Sequence, residues 1–450
     1  MKKSRMLLCA SAMLLLASCG GGNQSSSSHA TGLSSSEQSH ATGLSSSEES
    51  HATGLSSSTS GAAWVPTEDV EVLIWCAEAA VDLTTAQVEE FIQDSGWADK
   101  VSFTVEPVGE GTAATQVITD LDAAGDIYFF AQDQLSRLVT AGGLTELTSR
   151  YTDPIKTENG AGSVQAATVG DKIYAFPATE DNGYYLYYNS EFFGANDVTD
   201  WEAMVSKAEA GSKKINFNYS SAWYNFGFFY GANTDSVWST DDEGNFTEYA
   251  DTYNTADGLK AAKGLSHVAT SSAVVDSGSA GDIADNTVAL VSGTWDYKAV
   301  VDEWGENTAC VELPYFNVDG ERIHTGSFSG NKLVGVKPQT NGQKARVTCD
   351  IAAYLTGEVG QLERFNELQW GPSNKAAAAS EAVQNAPQIA ALAKQNNYAK
   401  PQGQFPQGWW DLAGAIGSNI NALGKEGVTD DALSSILETY AEGLDDLLTA

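Results

Sequence analysis

The sequence predicts an α/β protein built as two lobes or domains. Two observations carry this. Between residues 70 and 143 short apolar strands alternate with amphipathic helical stretches, the rhythm of parallel strands joined by crossover helices. From Trp64 onward roughly 385 of the 450 residues read as globular, more than one hydrophobic core usually serves.

Taken in order, residues 70–75 are a near-continuous apolar run and read as a buried strand. Thr84 or Thr85 caps a helix in which Val88, Phe91 and Ile92 share one face before Gly96. Residues 101–105 alternate as a strand, and residues 112–124 return to helical spacing until Gly125. Residues 126–130 form another apolar strand. Asp133 stands where it caps a helix over 135–141, closed by Gly142 and Gly143. Parallel sheets bind ligands beyond the carboxyl ends of their strands, which singles out Glu78, Phe130 and Asp133. The second half is also α/β but richer in aromatics, with a dense cluster over 223–230, then Trp295, Trp370, Trp409 and Trp410. Residues 430–448 carry a helical pattern with Leu433, Ile436, Leu437 and Tyr440 on its inner face.

Ahead of this body, Lys2, Lys3 and Arg5 precede an apolar run over 6–16 and the small residues Ala17 and Ser18. That is the pattern of a secretory leader, with an apolar run too short to remain as a spanning helix. Cys19 directly after the cut resembles the bacterial lipobox. The resemblance implies that residues 1–18 are removed and that Cys19 takes a diacylglycerol, leaving an extracytoplasmic protein held on the bacterial cell membrane. More than one acyl chain makes such an anchor stable. Residues 19–66 read as its tether: a Ser-rich repeat begins at His29, recurs from His40 and begins again at His51. It has no hydrophobic face to stack and cannot offset its chain entropy. The three histidines have no preset geometry for a metal.

The formal charge of −35 argues against nucleic acid, whose phosphates demand Lys and Arg, and against attraction to anionic lipid, so a membrane anchor must be covalent. In the body Cys76, Cys310 and Cys349 show neither a disulfide framework nor zinc spacing and read as small buried residues. His267 and His324 are the body's histidines, which weakens His-dependent catalysis and metal binding; no P-loop and no Gly-x-Ser-x-Gly elbow occur. No cofactor and no metal are expected.

At Gly170-Asp171-Lys172-Ile173-Tyr174-Ala175-Phe176-Pro177, followed by Leu186-Tyr187-Tyr188-Asn189, the chain resembles the extracellular solute-binding lipoproteins of carbohydrate ABC importers, the group that includes maltose-binding proteins. The resemblance extends to residues 70–75 as a first strand and to residues 125–133 as a strand with a ligand segment. It also covers residues 289–295 as a strand ending in Gly-x-Trp, and Trp409-Trp410 in the region of a late sugar platform. It implies a two-lobed periplasmic-binding-protein fold of the class II kind: lobe one over 67–179 plus 325–371, lobe two over 180–324 plus 372–450. A sugar binds in the cleft and hinge strands let the lobes close over it.

A pyranose has an apolar C–H face that stacks on aromatic rings and a hydroxyl rim that favours carboxylates. Carried over by the resemblance, Phe130, Trp223 with Tyr224, Trp295 and Trp409 with Trp410 fall where platforms occur. Asp133 falls on a hydroxyl-binding carboxylate, Glu78 lies one position from another acid, and Asp181 or Asn182 lies near a hinge-region acid. The sequence departs from the maltose-binding pattern at Gln134, where a basic residue stands, at Ser221-Ala222-Trp223, where an acid-Pro-aromatic step stands, and at Phe130, usually Trp. Each position also has a packing reading. Trp295 and Phe130 end apolar strands, half of the aromatics over 223–230 must pack, one of Trp409 and Trp410 faces away from the cleft, and Asp133 caps a helix.

The expectation is therefore a monomeric, non-enzymatic, lipid-anchored receptor that hands an oligosaccharide, first a malto-oligosaccharide, to an importer permease. A surface glycoside hydrolase is the second reading, since carboxylates are plentiful, although no pair is singled out by spacing. An adhesive surface lipoprotein that works through its repeats is the third.

Overall fold

The computed structural model describes residues 64–241 and 245–448. The leader, Cys19 and the repeats fall outside these residues.

Two five-stranded sheets organise the body. In the first the order is Val101–Pro107, Val70–Cys76, Ile127–Ala131, Lys332–Val336, Ala175–Thr179. The first three strands run parallel, and the successive residues Ile74 and Trp75, like Tyr128 and Phe129, are buried on opposite faces, which is why these two strands read as apolar runs where Val101–Pro107 alternates. Lys332–Val336 is antiparallel to both of its neighbours, so the sheet is mixed rather than wholly parallel. That strand arrives from the second half of the chain and enters from the opposite end, which no local rhythm foretells.

The second sheet runs Val274–Val275, Lys214–Asn216, Thr287–Ser292, Tyr185–Asn189, Thr308–Val311, with Tyr185–Asn189 antiparallel to its two neighbours. Its core gathers Trp201, Phe217, Phe228, Leu265 and Leu437, each essentially unexposed. At about 1.5–3 kcal/mol for each large apolar side chain buried, such clusters dominate the stability of the body. The helix Asp430–Glu442 turns Leu433, Leu437 and Tyr440 into this core, and Thr429 caps it by accepting from the Ala432 amide at 3.2 Å.

The helix starts differ from expectation. Val81–Asp94 begins one turn before Thr84 and Thr85, after a short 3-10 turn at Glu78–Ala80. Thr84 is buried, and the Thr85 hydroxyl donates back to the Val81 carbonyl at 2.7 Å, so neither caps the helix. The helix expected over 112–124 stops at Thr119, where the Asp120 carboxylate accepts the Ala123 amide at 3.1 Å and favours a turn. Asp133 does not cap either: it lies within the 3-10 turn Gln132–Gln134, which precedes the helix Leu135–Thr140, and the cap position is Gln134.

The chain passes between the sheets at 180–184, again at 330–331 and again near 369–374. These segments are tied together where they meet: the Glu180 amide donates to Gly371 O and the Asn182 amide to Gly330 O, each at 3.1 Å. Beside them Ser327–Ser329 pairs in parallel with Ala399–Pro401. Gly183 is held to a hydrogen side chain by this packing, since a Cβ there would meet Phe328 O at 2.9 Å.

Burial pushes the Cys76 thiol up to about 11 and those of Cys310 and Cys349 up to about 12, which leaves all of them protonated and unreactive at neutral pH. Among the described residues no helix is long and apolar enough to cross a membrane.

Candidate functional site

The carboxyl ends of the parallel strands in the first sheet deliver Glu78, Glu110 and Asp133 to one edge. Lys332 begins its antiparallel strand at that same edge, and Asp181 follows Ala175–Thr179 there. The second sheet presents its own edge through Ser292, Thr294, Trp295 and Asp296, just beyond Thr287–Ser292. The two edges meet. Thr294 donates its hydroxyl to Asp181 Oδ2, which also accepts the Gly371 amide.

Lys332 sits at the centre of the junction. Its Nζ lies 4.1 Å from the Trp370 ring centroid, 5.3 Å from that of Trp295 and 3.7 Å from Glu110 Oε1. The last distance is an ion pair without a hydrogen bond. Trp295 owes its position to Gly293, where a Cβ would stand 2.1 Å from the indole ring. That clash is the physical content of the Gly-x-Trp pattern. The Tyr187 hydroxyl holds the turn from behind, donating to Gly293 O at 2.7 Å.

A polar chain runs from this centre along the junction. Gln132 Oε1 accepts the Asn331 amide at 2.7 Å, and Gln132 donates to Gln402 O at 2.5 Å. Asn182 donates to Gln402 Oε1 at 3.2 Å. Further along, the Ser136 amide donates to Gln404 Oε1 at 3.1 Å and Arg137 to Gln407 Oε1 at 2.8 Å.

Several polar atoms here are buried without a hydrogen-bond partner: Glu110 Oε1, Asp133 Oδ1, Asp181 Oδ1, Asn331 Oδ1 and Arg364 Nη1. A buried acceptor or donor left unpaired costs about 1–3 kcal/mol, so a gathering of them marks a place prepared for a polar ligand. Burial pushes the Asp133 carboxyl up to about 7, against the opposing pull of its own backbone, Arg137 and Gln402. Burial likewise brings Arg364 down to about 10, although Cys76, Glu110 and Asp181 favour its charge. Burial also raises Asp296, against hydrogen bonds from Ser292 and the Ala280 amide.

Among the residues singled out from sequence, Asp133, Asp181, Asn182 and Trp295 come together at this junction. Glu78 is at the same edge but exposed, in the turn after the first strand. Phe130 is wholly buried in the first core and Trp409 in the second; both are packing positions here. Trp409 stacks on Phe405 at 4.1 Å and donates its indole N–H to the Tyr440 hydroxyl at 3.0 Å. Tyr224 is also buried, its hydroxyl bonded to Gly278 O at 3.2 Å. Trp223 and Trp410 are half-buried in one aromatic group around Phe328, with 6.3 Å between their ring centres. Sequence reasoning missed Glu110, Lys332, Arg364, Gln132 and Gln402. Glu110 was within reach of the strand-end rule, since it follows Val101–Pro107; Gln402 carried no signal.

Two sheets joined by crossing segments, with aromatic rings and buried carboxylates gathered where their edges meet, define a two-lobed solute-binding protein. A family model described as bacterial extracellular solute-binding protein matches residues 86–391, and the chain belongs to that family. Solved structures share the fold. One determined with acarbose has 24% identity, covers 84% of this chain and 99% of its own, and superposes with a TM-score of 0.71. The maltodextrin binding protein MalE1 from L. casei BL23, without ligand, has 20% identity, 85% and 100% coverage and a TM-score of 0.68. The Thermus thermophilus maltotriose binding protein, bound with maltotriose, has 17% identity, 83% and 100% coverage and a TM-score of 0.66. No curated protein matches the chain in sequence.

Proposed function

We propose that this protein captures an oligosaccharide in the junction between its sheets and hands it to the permease of an ABC importer. The observation that carries this reading is the half-buried Trp295 ring set beside Lys332 at the junction, where the buried carboxylates Asp133 and Asp181 each keep an oxygen without a hydrogen bond. Rings for the C–H faces and carboxylates for the hydroxyls are what a sugar needs. Trp223 and Trp410 extend the aromatic surface to further rings of a chain, and Glu78 supplies an outer acid.

Lobe one is read as 67–179 plus 325–371 and lobe two as 180–324 plus 372–450, closing about the crossing segments. A malto-oligosaccharide is the first candidate, supported by neighbours described as binding maltodextrin and maltotriose. Residues 1–18 are the leader, Cys19 carries the lipid anchor and the repeats space the body from the cell membrane. The protein acts as a monomer and as a receptor rather than an enzyme.

Tryptophan fluorescence of the secreted chain, titrated with malto-, xylo- and manno-oligosaccharides, tests the reading. A saturable shift with one series supports it and names the class. No response to any series, with calorimetry also flat, refutes it. Steady release of reducing ends during incubation would favour the hydrolase.

A further inference from the structure

A cavity lies away from the junction, on the second sheet's half of the body. It measures about 360 Å³, within the range of roughly 300–1,000 Å³ typical of small-molecule sites. Its walls are the end of helix Ala222–Gly231, the turn that follows it, and the residues His324 and Tyr398. None of the cleft residues described above lines it.

Two tyrosines in this cavity are backed by rings. Tyr398 lies flat on the His324 imidazole, with 3.5 Å between ring centres and 7° between planes. Tyr230 stacks on Phe226 at 5.5 Å and 13°. His324 cannot swing away, because its Nδ1 donates to Thr325 O at 2.8 Å. Tyr398 is nevertheless 40% exposed, so a firmly backed ring offers a face to solvent. Gly326 lets this wall close up, since a Cβ there would stand 2.9 Å from Tyr230 Cδ1.

The polar groups of the cavity carry no net charge. Asp235 Oδ1 is taken by Lys400 Nζ and by the Ser236 amide at 2.8 Å. Asn233 stands exposed at the rim with φ at 65°. A cation would find Asp235 already neutralised, and an anion would find Lys400 engaged. What remains is aromatic faces with a carboxylate and a carboxamide at their edge.

We infer that this cavity is a second carbohydrate site, taking one neutral sugar ring, either a free monosaccharide or the end of a longer chain. The apolar face of the ring lies against Tyr398 and Tyr230, and its hydroxyls meet Asp235 and Asn233.

Ligand-detected saturation-transfer NMR on the secreted chain tests this, with glucose and maltotriose as probes. Trp295→Ala, made in the cleft, serves as the reference. Transfer to glucose protons is expected for this variant and for wild type. It should fall about fivefold in Tyr398→Ala, the loss expected for one aromatic platform, and persist in Tyr398→Phe. Should Tyr398→Ala not fold by thermal melt, Asp235→Asn reads the same site through its polar edge. Maltotriose transfer confined to a terminal ring would mark a chain end as the ligand. No transfer to either probe overturns the proposal. So does transfer that disappears in Trp295→Ala but persists in Tyr398→Ala, which assigns the sugar to the cleft alone.

Discussion

Replacing Asp133 by Asn separates stability from binding in a way that the burial of this carboxyl dictates. Asp133 is 7% exposed, and burial raises its carboxyl from an ordinary 3.8 to about 7. With the folded value above the unfolded one, the folded state holds the proton more tightly. The carboxylate therefore costs little below the unfolded value, its cost grows as pH rises between the two, and it levels off above the folded value. At about 1.4 kcal/mol per pKa unit, the cost is about 4 kcal/mol near pH 8 and about 2 near pH 5. Asn has no charge to bury. The stability of Asp133→Asn minus that of wild type should thus be more favourable near pH 8 than near pH 5 by about 2 kcal/mol.

Taking the difference cancels the shared effect of the protein's −35 charge. Urea unfolding of both proteins at the two pH values measures it. Near pH 8, where Asp133 is ionised, the same variant should bind sugar less tightly, since a hydrogen bond to a charged acceptor is worth about 1.5–3 kcal/mol, or about ten- to a hundredfold in Kd. A difference in stability that does not vary with pH would refute the burial argument. Unchanged sugar affinity would remove Asp133 from the site.

Gly293→Ala drives a methyl into the Trp295 ring, and overpacking of this kind costs about 1–3 kcal/mol; thermal melting and sugar titration should both register it, and unchanged affinity would show that Trp295 is not a platform. Trp409→Phe removes the indole donor of the Tyr440 hydroxyl, which keeps its bond to Asp251, and the lost hydrogen bond should cost about 0.5–1.5 kcal/mol in urea, while sugar affinity stays as in wild type. The Asp200 carboxyl is held at about 2, chiefly by its hydrogen bond from Arg322. Its folded value is depressed, so its stabilisation is present above the ordinary carboxylate value and is lost as pH falls toward about 2. Arg322 is half exposed, so solvent screening limits the effect of Arg322→Ala to about 1 kcal/mol or less near neutrality. Acid titration of both proteins should bring the two stabilities together.

The fold was legible where local chemistry agreed with its setting. The run at 127–130 is covered on both faces, and that at 70–75 becomes so in its second half, where Ile74 and Trp75 are buried while Glu71 stays exposed, so both segments are largely apolar. Leu433, Leu437 and Tyr440 revealed their helix because a single face of it is buried. Gly293 and Trp295 were readable as a unit because the ring needs the space that glycine leaves.

What only the tertiary structure decided was which residues far apart in sequence share an environment. Phe130 and Trp409 have the composition of sugar platforms, yet each is enclosed by strands or helices that arrive from elsewhere in the chain. Lys332, Glu110 and Trp370 have no common local pattern. They meet because an antiparallel strand from the second half of the chain inserts beside Ile127–Ala131 and because the chain turns back near residue 370. Residue type and spacing report on a segment's own burial, whereas a site assembled from several segments depends on long-range pairing, and that information is written in no single stretch of sequence.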